Sequence, residues 1–264
     1  ELLCAYDESI LELKTLEGVL RCVTHCSILQ NDKRFMPSGY VSLKYYTSSS
    51  KITDRIKLTD NIIHTNDLAK SMNEQYVQER ALFLSEWAPR DSVIFIDGSL
   101  FSGHSTSGNF TLVRKLVEKN TLPIFFVKNS DSTIIRDNFE QAAGYHNDLH
   151  WAHSTLKQGE LSPLFQYQSD DRVKVMGFLK VFENRSPIRI EFPGDAYVKG
   201  RYPKNIIEMI YFQYLANGYT QNIQPKIIQV AEMYAREILK STNLYSEVEK
   251  LGLTKTMNEE RSFT

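Results

Sequence analysis

The sequence predicts a mixed α/β fold, and three observations lead to this prediction. Short apolar runs rich in Val, Ile, Leu and Phe occur near the start of the chain and again in its middle, which is typical of buried strands. Stretches of good helix formers separate the later runs. Strands that alternate with helices favour a sheet with parallel neighbours, because a parallel neighbour requires a crossover connection.

The first part of the chain indicates three consecutive strands. An apolar run at 2–7 is followed by stretches at 12–30 and 40–47 that are rich in Val, Thr, Ile, Leu and Tyr. Gly18 and the Pro-Ser-Gly segment at 37–39 interrupt these stretches and are typical of turns. We therefore expect the three strands to be antiparallel and joined by hairpins.

The rest of the chain alternates between predicted helices and strands. A helix is expected from about residue 66 to residue 87, where Gly and Pro are absent, and Pro89 ends it. The further predicted elements, in chain order, are a strand at 93–97, a helix at 109–119, a strand at 122–127, a helix at 132–143, strands at 173–182 and 187–192, and helices at 204–216 and 225–240.

The first seven predicted elements follow the order β-β-β-α-β-α-β, which is that of an RNase H-like fold. In that fold the first and fourth strands are neighbours, so we expect the strands that end at Asp7 and Asp97 to lie side by side. Because no Gly/Ser-rich or Pro-rich linker interrupts the chain, we expect one domain over residues 1–264. Its RNase H-like core spans about 1–143, and an extension with additional strands and helices spans about 144–264.

Two acidic residues end apolar strands in similar contexts. Asp7 lies in Ala-Tyr-Asp-Glu-Ser, and Asp97 lies in Phe-Ile-Asp-Gly-Ser. Carboxylates at the ends of adjacent strands converge, and their mutual repulsion favours a bound cation. A pair of Mn²⁺ or Mg²⁺ ions held by oxygen ligands can promote phosphodiester hydrolysis. Either Asp alone is explained at least as well as a strand-end cap or turn residue, so the functional interpretation depends on the two strands being neighbours.

The predicted helix at 66–87 offers a third carboxylate, Glu79. The apolar residues on one of its faces are Leu68, Met72, Tyr76 and Phe83. Glu79 lies among them, since residues three or four apart share a helix face. A carboxylate in an apolar stripe is costly unless it is paired or bound to a cation. The alternative is a partly buried ion pair between Glu79 and a neighbouring Arg.

Several segments resemble the NurA family of archaeal and bacterial DNA-end-processing nucleases. The Asp-Glu-Ser segment at 7–9 resembles the first acidic motif of that family, Glu79 resembles the second, and Asp-Gly-Ser-Leu at 97–100 resembles the third. The later segments that resemble the family are Val-Lys-Asn-Ser at 127–130, Arg-Ile-Glu-Phe-Pro at 189–193 and Tyr-Pro at 202–203. The similarity extends from about residue 2 to residue 240.

This resemblance implies an activity, a cofactor and partners. It implies a two-metal-ion deoxyribonuclease, dependent on Mn²⁺ or Mg²⁺, that acts as a 5′-to-3′ exonuclease and single-strand endonuclease in double-strand break repair. Asp7, Glu79 and Asp97 would hold the metals. Lys128 would contact the scissile phosphate, and Tyr202 would lie at the edge of the site. The implied partners are DNA, a second copy of the chain in a homodimer, and a HerA-like hexameric ATPase that translocates DNA.

One position departs from the family pattern. The family often has a His about two turns after its Tyr-Pro segment, whereas this chain has Ile210 near that place. This difference favours the first alternative, a catalytically degenerate relative that binds DNA or a translocase without cleaving DNA. The second alternative is a different metal-dependent phosphotransferase or recombinase on the same fold.

A late part of the chain is locally basic. Its cationic residues are Lys174, Lys180, Arg185, Arg189, Lys199, Arg201 and Lys204. Such charges are usually solvated, but cations that share one face would contact DNA phosphates.

Composition and charge limit the other classes of protein. The formal net charge is −1, so DNA binding would require a local basic groove rather than a global positive excess. No apolar run approaches the roughly 20 residues of a membrane span, and we expect no membrane association. The three cysteines fit a reducing compartment, and we expect a cytoplasmic protein.

Overall fold

The order of the strands across the sheet is the feature that positions the candidate site. The structure is a computed structural model that describes residues 2–32, 34–51, 60–100, 106–169, 172–219 and 222–250. The strands in these ranges are β1 (Leu2–Thr15), β2 (Gly18–Asn31), β3 (Arg34–Thr47), β4 (Ile62–His64), β5 (Ser92–Asp97), β6 (Thr121–Val127), β7 (Phe165–Ser169), β8 (Arg172–Leu179) and β9 (Ile188–Pro193). They form one mixed sheet in the order β4-β3-β2-β1-β5-β6-β9-β8-β7.

Helices cover both faces of this sheet. They are α1 (Leu68–Trp87), α2 (Thr106–Glu118), α3 (Ile134–Asn138), α4 (Asp148–Thr155), α5 (Gly194–Val198), α6 (Ile206–Asn217), α7 (Lys226–Ser241) and α8 (Leu244–Lys250). A short 3₁₀ turn at Glu140–Ala142 follows α3. In the part of the chain that the structure describes, no helix has both the length and the apolar composition that crossing a bilayer requires.

The predicted order β-β-β-α-β-α-β is confirmed with one addition, the short strand β4, which pairs in parallel with β3 ahead of α1 and was not predicted. Strands β1, β2 and β3 are antiparallel neighbours, and β5 lies parallel to β1 on one side and to β6 on the other. The strands that carry Asp7 and Asp97 are therefore adjacent, as predicted. The C-terminal strands β9, β8 and β7 continue the same sheet beyond β6.

Two element boundaries differ from the prediction. Strand β1 does not end at Asp7 but continues to Thr15, because β2 pairs with it along its whole length. The helix predicted at 132–143 is interrupted at Phe139, whose backbone is extended. Phe139 packs edge-on against Phe165 of β7, with ring centroids 5.1 Å apart, so a tertiary contact overrides the local helical preference there.

Successive side chains of β1 point to opposite faces of the sheet. Cys4 and Tyr6 pack with residues of α1 and α2, and we call this side the α1 face. Leu3 and Ala5 pack with residues of α6 and α7, and we call that side the α7 face. By the same alternation Asp7 lies on the α7 face. The face on which each acidic residue lies determines which of these residues can form one site.

Candidate functional site

The structure brings Asp7 and Asp97 together. The parallel pairing of β1 with β5 runs to Tyr6 opposite Ile96, so the two aspartates are the next residues of adjacent strands. Phe95 belongs to the core on the α7 face, and alternation places Asp97 on the same face as Asp7. Two carboxylates therefore lie side by side at the carboxyl end of this strand pair.

The surroundings of Asp7 oppose the ionisation of its carboxyl group. Asp7 is only 7% exposed, and among the residues that the structure describes its carboxylate accepts one hydrogen bond, from the backbone N–H of Glu8 at 2.8 Å. Burial, followed by the negative charges of Glu8 and Asp97, raises the pKa of Asp7 to about 8, and the charge of Glu232 on α7 adds to this effect. A cation beside Asp7 would relieve both the burial and the repulsion.

Lys128 is the cation that contacts Asp97. It follows β6 directly, and its Nζ donates hydrogen bonds to Oδ2 of Asp97 at 2.9 Å and to Oε1 of Gln224 at 2.5 Å. The amide Nε2 of Gln224 in turn donates to Oε2 of Glu232 at 2.6 Å. A continuous chain of hydrogen bonds thus connects Asp97 with a carboxylate on α7.

The turn after Asp97 has a fixed backbone. Gly98 has a φ of +106°, a conformation that side-chain-bearing residues rarely adopt, and its N–H donates to the carbonyl of Phe126 at 2.9 Å. Ser99 Oγ and the backbone N–H of Leu100 both donate to Oε2 of Glu191, at 3.0 and 2.7 Å. A buried carboxylate therefore holds the segment that presents Asp97.

Glu191 belongs to a buried ionic cluster. Lys174 Nζ donates to its Oε1 at 2.5 Å, and Arg189 Nε lies 3.0 Å from the same oxygen. Burial alone would raise the pKa of Glu191, but the charges of Lys174 and Arg189 outweigh it and hold the pKa below its ordinary value. Two cations of the basic late region are thus buried and support the turn after Asp97, so they do not form part of a solvated surface.

The structure does not bring Glu79 to the two aspartates. Its Oε1 accepts hydrogen bonds from Ser42 Oγ at 2.6 Å and Gln75 Nε2 at 2.9 Å, and its Oε2 lies 3.8 Å from His25 Nε2. His25 shares a hydrogen bond of 2.7 Å with the Tyr6 hydroxyl, which places the whole group on the α1 face. Within the described ranges, no three or more His, Cys, Asp or Glu residues form a group that could hold a metal ion.

The contacts of Glu79 explain its ionisation. Burial would raise its pKa, but the nearby His25 ring and the hydrogen bonds from Ser42 and Gln75 together lower it. These groups take the place of the Arg partner considered as an alternative. A carboxylate satisfied in this way remains charged in the native structure without a metal ion.

Tyr202 and Ile210 lie in the core on the α7 face. The Tyr202 hydroxyl donates to the carbonyl of Pro123 at 2.7 Å, and burial raises the pKa of Tyr202 well above its ordinary value. Pro123 precedes Lys128 by five residues, which is roughly 16 Å along a strand. The structure thus places Tyr202 near the start of β6 and not beside Lys128 at its end.

Sequence reasoning missed Glu191, Gln224 and Glu232. Glu191 has a sequence signal, because an acid in the middle of an apolar strand is costly unless it is paired. Gln224 and Glu232 have none, since a polar residue just before or within a predicted amphipathic helix gives no sign of a buried contact, although Gln224 is buried in the structure. Only the packing of α7 on β1 and β2 brings them to the aspartates.

Comparisons with known proteins agree with this architecture. The family model for the NurA domain matches residues 22–237. The crystal structure of the NurA nuclease from Sulfolobus solfataricus is similar, with 15% identity, a TM-score of 0.58 and coverage of 94% of this chain and 84% of that one. A crystal structure of NurA with manganese has 7% identity, a TM-score of 0.51 and coverage of 95% and 89%. At these identities the likeness shows a shared fold. No curated protein matches the sequence.

Proposed function

Because the chain belongs to the NurA family, we propose that it is a DNA nuclease that hydrolyses phosphodiester bonds at DNA ends with Mn²⁺ or Mg²⁺. The observation that carries this proposal is that Asp7 and Asp97 follow directly on the last paired residues of two adjacent parallel strands, on the same face of the sheet. The fold shared with the NurA nuclease from Sulfolobus solfataricus supports it.

The residues at this end of the sheet suit a hard divalent cation. Such ions prefer carboxylate oxygens, which Asp7 and Asp97 supply. The raised pKa of Asp7 is the electrostatic signature of acids that lack a compensating charge. The crystal structure of NurA with manganese supports Mn²⁺ as the ion. When bound, a pair of such ions would supply Lewis-acid chemistry for phosphodiester hydrolysis.

The chain's own groups would then bind and orient the DNA. Lys128 is partly exposed beside Asp97, so its ammonium group is placed to contact the scissile phosphate as a point charge. Glu191 fixes the turn that presents Asp97. Binding of the phosphate backbone requires little sequence information, so we expect cleavage without a strong sequence preference.

The finer parts of the proposal rest on family resemblance. They are 5′-to-3′ exonuclease and single-strand endonuclease activity, action in double-strand break repair with a HerA-like translocase, a two-metal-ion mechanism, a homodimer and a cytoplasmic location. We also propose a single domain over the chain, since the strands of the extension continue the sheet of the core. The roles of Glu79 as a metal ligand and of Tyr202 as a catalytic residue stay predictions.

Cleavage of labelled DNA in Mn²⁺ tests the proposal. The wild type should degrade the DNA, and Asp7→Asn and Asp97→Asn should each reduce the rate by more than about a hundredfold, because loss of even an outer partner of a metal ligand costs about 10- to 100-fold. Asp137→Asn is a matched control, since this Asp is exposed on α3, and it should leave the rate unchanged.

The alternatives predict different outcomes. Equal cleavage by the wild type and Asp97→Asn would indicate a contaminating nuclease and contradict the site. A catalytically degenerate protein that only binds DNA or a translocase would show no cleavage, and the fully buried Ile210 in place of the family's His favours this second candidate. Strand joining instead of hydrolysis would indicate a recombinase or another phosphotransferase.

A further inference from the structure

The turn after β6, which carries Lys128, is attached to a buried arginine of β9. Val127, the last residue of β6, pairs with Arg189. The Nη1 atom of Arg189 donates a hydrogen bond to Oγ of Ser130 at 2.5 Å, and Ser130 is two residues beyond Lys128. The backbone that carries Lys128 is therefore fixed on both sides, by strand pairing at Val127 and by this hydrogen bond at Ser130.

The hydroxyl of Ser130 also fixes the segment that follows. Its oxygen accepts a second hydrogen bond, from the backbone N–H of Ser132 at 3.2 Å. Ser132 Oγ in turn donates to Oδ2 of Asp148, a fully buried residue of α4, at 2.9 Å. Removing the Ser130 hydroxyl would release two hydrogen bonds of the turn, while the pairing of β6 with β9 would remain.

Arg189 also contacts the carboxylate that supports Asp97. Its Nε lies 3.0 Å from Oε1 of Glu191, and Oε2 of Glu191 accepts hydrogen bonds from the turn at 98–100. Across the site, Lys128 Nζ donates to Oδ2 of Asp97 at 2.9 Å. The contacts form a closed ring in which one buried pair, Arg189 and Glu191, holds the two turns that present Asp97 and Lys128.

An arginine suits the place where these contacts meet. Its guanidinium group is planar and rigid and carries several N–H donors, so Nε can lie beside Glu191 while Nη1 reaches Ser130. A lysine has one compact ammonium group on a flexible stem, which does not reproduce this two-sided contact. Arg189 is 5% exposed and Glu191 is fully buried, so the surrounding packing restricts the movement of both side chains.

Stability alone is a weak explanation for these buried charges. Lys174, Arg189 and Glu191 are each 5% exposed or less. Removing such charges from water costs about as much as their attraction returns, and apolar residues of similar volume often give equal stability. Apolar residues, however, would not donate to Ser130 or accept from the turn at 98–100. The distinctive contribution of the cluster is therefore a fixed geometry between the two turns.

We propose that Arg189 and Ser130 are positioning residues for Lys128, which hold its ammonium group where it contacts the scissile phosphate. This inference rests on the proposed function and deepens it. Because the lysine side chain is long and flexible, the place of its ammonium group depends on a fixed backbone. A displacement of about 1 Å in an active site can lower the rate about a hundredfold.

Cleavage of labelled DNA at saturating Mn²⁺ tests the role of the Ser130 hydroxyl. Ser130→Ala should lower kcat by about tenfold and change KM by less than about twofold, because the charge of Lys128 stays near the DNA but loses its alignment in the transition state. Ser130→Thr keeps a hydroxyl and should retain most of the activity. Ser241→Ala is the matched control, since Ser241 is exposed and its hydroxyl bonds within its own helix.

A double-mutant cycle shows whether Ser130 acts through Lys128. In the Lys128→Ala background, Ser130→Ala should lower kcat by less than about a further twofold, since the group that it positions is gone. A purely structural role of Ser130 predicts the same tenfold loss in both backgrounds, and that result would overturn the inference. Circular dichroism and the Tm establish that each variant is folded.

A second cycle tests the connection between Arg189 and Ser130. Arg189→Lys keeps a cation beside Glu191 but removes the donor to Ser130, so it should lower kcat about as much as Ser130→Ala. Combining the two changes should lower kcat no further. Arg114→Lys, at an exposed position of α2, is the matched control and should leave kcat unchanged. If Arg189→Lys does not fold, the cycle of Ser130 with Lys128 decides the inference.

The outcomes distinguish this inference from the proposed function. If the wild type cleaves DNA and Ser130→Ala cleaves at the same rate, the roles of Arg189 and Ser130 fail and the nuclease proposal stands. The same conclusion follows if Lys128→Ala cleaves as fast as the wild type. If the wild type does not cleave DNA, both proposals fail.

Discussion

Buried acids on the two faces of the sheet have opposite electrostatic environments. On the α1 face, Glu79 accepts two hydrogen bonds and lies near His25, and Glu8 accepts from the Tyr76 hydroxyl at 2.7 Å. On the α7 face, Asp7 accepts a hydrogen bond from the backbone N–H of Glu8 and is repelled by nearby carboxylates.

This difference distinguishes an acid whose charge is compensated by its neighbours from one whose charge is not. Donors lower the pKa of Glu79, so its charge contributes to stability in the native state. Burial and like charges raise the pKa of Asp7, so its charge opposes folding. Strongly raised pKa values of this kind are concentrated at functional sites. The depth of burial alone does not distinguish the two residues, since both are less than a tenth exposed.

The largest expected effect comes from removing the carboxylate that supports the turn after Asp97. Glu191→Ala leaves Lys174 and Arg189 buried without their anion, which should destabilise the protein by about 3–5 kcal/mol. Urea denaturation measures the change. Glu140→Ala, at an exposed position in the 3₁₀ turn, is the control and should have little effect. A loss below about 1 kcal/mol for Glu191→Ala would contradict the role of the cluster.

The next prediction tests the role of Lys128 on the α7 face. Lys128→Ala removes the predicted phosphate contact and should lower kcat for DNA cleavage about a hundredfold, which corresponds to about 2.7 kcal/mol of transition-state stabilisation. The same change should leave Mn²⁺ binding intact or tighten it, because an ammonium group that neutralises Asp97 is lost. Lys115→Ala, on the exposed side of α2, is the matched control. Parallel loss of metal binding and cleavage would show that Lys128 is needed to shape the site.

A smaller effect tests the α1 face. Glu79→Ala leaves the donors on Ser42 and Gln75 without their acceptor and removes the anion beside His25, which should cost about 1–3 kcal/mol of stability at pH 7. Because the folded-state pKa of Glu79 lies below its ordinary value, its contribution is present above that value and lost as the pH falls through the folded-state pKa. Unfolding curves of the wild type and variant should therefore converge in acid. A constant difference at all pH values would contradict this ionic role.

The last effect has the opposite sign. The pKa of Asp7 is raised from an ordinary value of 3.8 to about 8, so the unfolded chain ionises first and the native state loses stability as pH rises between these values. Without metal, Asp7→Asn should therefore raise the Tm at pH 8 by at least about 3 °C and change it little at pH 4. A lower Tm at pH 8 would mean that the Asp7 charge is already compensated, and the contrast between the two faces would fail.

Much of the fold was predictable because hydrophobic patterns and helix breakers act locally. The apolar runs that end at Asp7 and Asp97 and the uninterrupted helix before Pro89 predicted the order of elements and the adjacency of β1 and β5. Local patterns also misplaced some boundaries. The extension of β1 to Thr15 depends on pairing with β2, and the break at Phe139 depends on a contact with β7.

The composition of the site was less predictable, because β1 and α1 carry ambiguous patterns. The residues from Leu3 to Tyr6 are all buried, so no polar alternation reveals which helix covers which face. Helix α1 also has apolar residues around much of its circumference, and the sequence therefore did not reveal the direction in which Glu79 points. An acid within an apolar stripe was correctly recognised as unusual, but its partners came from β2 and β3.

The sequence by itself determined that Asp7 and Asp97 would lie on neighbouring strands, because strand order follows from local patterns and the rules of chain connection. Only the tertiary structure decided that Asp7 and Asp97 share their face with Lys128, Gln224 and Glu232, while Glu79 lies on the opposite one. The physical reason is that strand alternation and helix docking fix side-chain direction only after the elements have packed. The partners of a buried charge come from segments that are distant in the sequence and become neighbours only when the elements pack together.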